Sequence, residues 1–116
     1  TRGGLATVLC EMVEGKTFGI SLQESMIPVR DNVSGMCEML GFDPLYLANE
    51  GKVVIVVKSS DADCVLNRLM SHDYGRDARV IGSINSTRPG RVILETSIGG
   101  NRIIEMLAGD QLPRIC

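Results

Sequence analysis

KVVIVVK, residues 52 to 58, is the stretch on which the fold turns. Val53 to Val57 are five β-branched residues in a row, with no polar position left to face water. Such a run belongs to a strand buried on both faces, as in a sheet sandwiched by helices. It therefore predicts a sheet with helices packed on it. Upstream, Leu5, Val8, Leu9, Met12 and Val13 recur at helical spacing until Gly15. FGISL then alternates Phe18, Ile20 and Leu22, the pattern of a strand. Pro28 interrupts the chain, and Asp31 is placed to cap a short helix carrying Val33, Met36, Cys37 and Leu40, stopped at Gly41. GFDPLYLANEG reads as turns, since Pro44 disfavours helix at Asp43 and Asn49-Glu50-Gly51 suits a tight connection.

Downstream, SSDADCVLNRLMSH predicts a capped helix with Cys64, Val65, Leu69 and Met70 towards the core. ARVIGSI and RVILETS, joined by NSTRPG, predict a hairpin. NRIIEML is a last short strand or a helical turn. AGDQLPRIC follows as an irregular tail, because Gly109 and Pro113 suit neither a long helix nor a central strand. The order α-β-α-β-α-β-β-β predicts an α+β fold (an α/β sandwich), a mixed β-sheet packed with helices and ending in an extended tail. One domain is expected over 1–107, with a flexible C-terminal tail over 108–116.

Composition narrows the function. Net charge is −2, and no basic run points to nucleic acid or to an anionic membrane. Aromatic residues make up 3%, too few for stacking platforms. No segment has the length of a membrane span, and no secretory signal is present. Thr1 stands where an initiator Met would, which predicts further chain upstream. Cys10, Cys37, Cys64 and Cys116 form no C-x-x-C pair, and His72 is not near a Cys, so no metal site is expected. The first three Cys fall in apolar stretches and read as small buried hydrophobes. Free thiols and the absence of a secretory signal predict a cytoplasmic protein.

Three places carry chemistry. TRGGLA opens a helix with Gly3 and Gly4 beside Arg2, and helix N-terminal N–H groups with a guanidinium suit a phosphate. The same two glycines also fit a plain turn. Glu50, in ANEGK, stands just before the predicted buried strand, where burial would raise a carboxyl towards general-base range. A solvated loop acid is the competing reading. His72 reads as a surface residue at a helix end. The last place is Cys116, the final residue. An extended run from Ala108 to Cys116 reaches about 26 Å at about 3.3 Å per residue. A prenylation box needs its Cys fourth from the end, and a redox tail would need a resolving thiol nearby. A covalent carrier role survives, beside the plain alternative that the chain merely stops there.

TRGGLA, IPVRDNVSGMCEMLGFDPLYLANEGKVVIVV, GRDARVIGSI and the final LPRIC resemble the C-terminal part of the HypE family of hydrogenase maturation factors, in the PurM-like superfamily. The resemblance runs from Thr1 to Cys116. It implies a PurM C-terminal-domain-like fold and makes Cys116 the native end of the protein. In that family the terminal thiol accepts a carbamoyl group from the carbamoyltransferase HypF. ATP, with Mg²⁺, then drives dehydration to a thiocyanate, and cyanide passes to iron held by HypC and HypD for the [NiFe]-hydrogenase. Residue by residue, this makes Cys116 the carrier nucleophile and Glu50 the proton acceptor. It puts Arg2, Gly3, Gly4 and Asn49 near the nucleotide. It also implies an N-terminal domain that supplies most ATP and Mg²⁺ contacts and a homodimer interface, so this chain alone is expected to be inactive. The competing class is a non-catalytic docking module in which Cys116 only anchors a complex. A different PurM-like ligase or kinase would explain TRGG but gives the last Cys no role.

Overall fold

The computed structural model describes residues 3–108. Its helices are α1 (Gly4–Val13), α2 (Asp31–Leu40) and α3 (Ala62–Met70); its strands are β1 (Gly19–Gln23), β2 (Gly82–Asn85), β3 (Val92–Glu95) and β4 (Asn101–Ile104). The strands form one mixed sheet in the order β2-β1-β3-β4. β1 is antiparallel to β2 and parallel to β3, and β3 is antiparallel to β4. The expected α+β class, a mixed sheet with helices, is therefore what the chain adopts.

Strand register explains which side carries the core. Ile20 pairs with Val92, Leu22 with Leu94 and Val92 with Ile104, so these five side chains share one face. Against that face α1 lays Ala6, Leu9 and Val13, spaced three and four apart, and Leu45 joins them from a turn. Leu94 is 0% exposed. The other face is mostly polar, with Ser21, Asn85, Glu95 and Asn101, and Asn85 donates to Ser21 Oγ at 2.8 Å. The result is a one-sided sheet.

Several expectations change. KVVIVVK is extended but belongs to no strand, with Val53 74% and Ile55 47% exposed. Among the described residues its backbone from 52 to 57 makes no backbone hydrogen bond. Val54 alone of the run packs against the core. β-Branched composition sets a backbone preference, but it does not supply an edge to pair with. β1 and β3 are flanked on both sides, and neither edge strand, β2 or β4, takes the run as a partner.

The expected hairpin is not one either. β2 and β3 do not pair, because β1 lies between them. The turn 86–91 instead crosses β1, with the Gly90 N–H donating to Phe18 O at 2.8 Å and the Ile20 N–H to Arg91 O at 2.9 Å. A Cβ on Gly19 would collide with the Arg88 carbonyl, so the crossing needs the glycine. The ambiguous NRIIEML resolves into β4 over its first four residues.

Two helices are less buried than expected. In α2 the only buried residue is Cys37, while Val33, Met36 and Leu40 are exposed. Gly41 does end the helix, at φ 70°. In α3 no residue is buried; Val65 and Leu69 are half-covered, and Cys64 and Met70 are exposed. That corrects the reading of Cys64 as a core residue. Brief iodoacetamide treatment is therefore expected to label Cys64 well ahead of Cys37, by about tenfold or more, since thiolate access controls the rate. Peptide mapping checks it, and equal labelling would contradict this packing. Cys10 should lag too, because burial, then the Glu105 and Glu11 carboxylates, push its thiol up. Cys116 lies outside the described residues.

Candidate functional site

The turn between α2 and the KVVIVVK run carries Glu50, and its construction begins with Asp43. This residue is extended, as the following proline demands, and its Oδ1 accepts the Leu45 N–H at 2.9 Å. A 3-10 turn over Pro44–Tyr46 follows, with Leu45 buried in the core. Asn49 then folds back, its Nδ2 donating to Leu47 O at 2.9 Å while its Oδ1 accepts from Lys52 Nζ at 3.0 Å. Gly51 closes the bend at φ 72°. Glu50 is left exposed at the tip. The burial expected of that carboxyl is therefore not supplied by the described residues.

The opening of α1 lies directly against the same turn. Gly4 has φ 78°, and a Cβ there would stand 2.5 Å from Leu45 O and 2.8 Å from Leu47 O. The turn's own backbone, and not a ligand, occupies the space that makes Gly4 necessary. The first turn of α1 holds no acidic residue and no side-chain cap. Among the described residues no side chain caps its N–H donors, as phosphate binding would need. Arg2 lies outside the described residues, so the structure gives no place for its guanidinium.

β4 is the third component. Arg102 shares the Leu94 face, the side on which the turn lies, and its Nη2 donates to Asp43 Oδ2 at 2.7 Å. Three residues on, the Glu105 backbone meets Tyr46: the phenol donates to Glu105 O at 2.7 Å and accepts from Glu105 N at 3.3 Å. Burial pushes the Tyr46 phenol up, partly opposed by the Glu105 N–H that its oxygen accepts, so it stays a donor at neutral pH. Cys10 Sγ contacts Ile104 O at 3.4 Å from the α1 side.

Of the sequence candidates, the structure brings Gly3, Gly4, Asn49 and Glu50 to one end of the fold. Arg2 and Cys116 lie outside the described residues. Asp43, Tyr46 and Arg102 were not among the candidates. The Asx turn at Asp43-Pro44 was readable locally, but its partners lie 59 residues away. Among the described residues no three His, Cys, Asp or Glu side chains group as a metal site. No helix of the described residues is long and apolar enough to cross a membrane.

Residues 1–95 match the family described as AIR synthase related protein, C-terminal domain. The chain is 47% identical over 116 residues to the carbamoyl dehydratase HypE of Cupriavidus necator, covering all of this chain and 33% of that protein. It is 44% identical to the HypE of Rhodobacter capsulatus, again over all of this chain and 34% of that one. A crystal structure of hydrogenase maturation protein HypE superposes with TM-score 0.91 at 43% identity, over 100% of this chain and 38% of that one. HypE in complex with ATP gives 0.90 at 43% identity, over 100% and 36%. HypE in a HypE–HypF complex gives 0.84 at 43% identity, over 90% and 34%. The chain thus spans about a third of the length of the relatives it matches. Family match, identity and superposition agree: this chain belongs to the AIR synthase related family, as part of its C-terminal domain, and within that family its likeness is to HypE.

Proposed function

We propose that this chain is the C-terminal part of an ATP-dependent carbamoyl dehydratase of hydrogenase maturation, with Cys116 as carrier and Glu50 as base. The observation that carries the reading is the 47% identity to such an enzyme across all 116 residues. That span includes both the Asn49-Glu50 turn and the terminal thiol. The meeting of α1, the turn that carries Glu50 and the end of β4 supports it, because the route to Cys116 departs from beside Tyr46 in that turn.

The chemistry suits these groups. A carboxamide N–H is a weak acid, and oxide does not leave. In the proposed reaction the carbonyl oxygen of the S-carbamoyl group attacks the γ-phosphorus of ATP, and the bond to ADP breaks. The C–O bond then breaks to release phosphate, while the nitrogen gives up both protons and S–C≡N remains. One proton goes to Glu50 and the other leaves with phosphate or water. A carboxylate is sufficient once phosphorylation has acidified the N–H, provided the carboxamide nitrogen is held within hydrogen-bond reach. Gly3 and Gly4 N–H groups, with Arg2 and Asn49, would face the nucleotide. Mg²⁺ would offset phosphate charge when bound, with ligands from the remainder of a family-length protein. HypF would load the carbamoyl group, and a HypC–HypD complex would receive cyanide. The whole protein would work as a cytoplasmic homodimer, and this third of it would not turn over alone.

Mass spectrometry of the Cys116 peptide tests this in family-length protein incubated with ATP and the carbamoyl-donating machinery. Loss of one water from a carbamoylated tail is the expected result. A thiol left unmodified under active conditions would favour a non-catalytic docking module instead.

A further inference from the structure

β4 ends at Ile104, so Glu105 has left the strand ladder. Its backbone N–H and C=O both turn to one phenol, that of Tyr46, at 3.3 and 2.7 Å. The Tyr46 ring packs against the core, so its hydroxyl is held from behind. Three residues earlier on each strand of this contact, Asp43 and Arg102 are joined at 2.7 Å. Asp43 uses its other oxygen to hold its own turn. Two points on the turn, 43 and 46, are thus tied to two points on the β4 segment, 102 and 105. A single tie fixes a distance, whereas two fix a direction as well.

The eleven residues after Glu105 lead to Cys116. Their extended reach is about 36 Å, so the point and direction of departure bear on where the thiol can be delivered. Restricting the root raises the effective concentration of the tail end at any one place. We infer that Tyr46, supported by the Asp43–Arg102 pair, is a positioning residue that sets where the carrier segment departs relative to the Glu50 turn. The inference rests on the proposed roles of Cys116 and Glu50.

Tyr46→Phe removes both bonds and keeps the ring. In family-length protein we expect the Glu105 amide to exchange faster by about tenfold or more, as a lost acceptor predicts. We expect dehydration of carbamoylated Cys116, followed by tail-peptide mass after ATP, to slow by about tenfold. Arg102→Gln should act in the same direction more weakly, and covers the case in which Tyr46→Phe folds poorly. Because Tyr46 acts through delivery to Glu50, adding Tyr46→Phe to Glu50→Gln should slow dehydration little further. Unchanged Glu105 exchange in Tyr46→Phe overturns the clamp, whatever the protein's activity. Faster exchange with normal dehydration, while Glu50→Gln still stalls, overturns the positioning role and leaves Glu50 standing. Normal dehydration in both single variants overturns the Glu50 reading and, with it, the role inferred for Tyr46.

Discussion

Replacing Glu50 with Gln in the family-length protein is expected to leave Cys116 carbamoylated and stalled. The amide keeps the size and polarity of the side chain but cannot take a proton as a carboxylate does. Carbamoyl loading should persist, because the proposed donor performs it. Thiocyanate formation should fall by about a hundredfold or more, the usual loss with a general base and equivalent to about 2.7 kcal/mol. Tail-peptide mass after ATP decides the matter. A dehydrated tail formed at the normal rate would make Glu50 what its exposure in this chain also permits, a solvated acid at the tip of a turn.

Leu94→Ala should be the most damaging single change to the fold. Leu94 is 0% exposed, lies in an inner strand beside Leu22, and faces α1. Leu→Ala at such a site costs about 2–5 kcal/mol, because lost burial and the remaining cavity add. For a chain of this length each kcal/mol lowers Tm by about 4 °C. Denaturant titration measures the change. A loss below about 1 kcal/mol would mean that the α1–sheet core is not the one that stabilises the chain.

How far the sequence could be read depended on whether a feature was local. α1 follows from apolar spacing and Gly15, β1 from the alternation at 18–22, and the end of α2 from Gly41. Each depends on neighbours within a few residues. The 52–58 run failed because β-branched residues specify an extended backbone and not the strand beside it. The hairpin failed for a related reason: NSTRPG has sound turn residues, but a strand from sixty residues upstream takes the place between. Gly19 was the available signal, since a crossing chain needs its missing Cβ. At the site, ANEG and Cys116 stood out because of resemblance to a family. Tyr46 and Arg102 did not, since a phenol and a guanidinium acquire meaning only from backbone and carboxylate groups 59 residues distant.

The place of β1 in the sheet also has a consequence in time. Its two partners are β2, where Leu22 meets Gly82, and β3, where Ile20 meets Val92. A ribosome adding about 5–20 residues per second leaves β1 without either neighbour for several seconds. Throughout that interval Ile20 and Leu22 have only α1 and, once made, the turn carrying Leu45 to cover them, and the 53–57 run emerges before this sheet exists. Pairings this distant in sequence also place folding among the slow topologies, because loop closure comes before any reward. The nascent chain is thus expected to be at its most aggregation-prone while residues 24–81 are being added, the window in which a chaperone would have most effect.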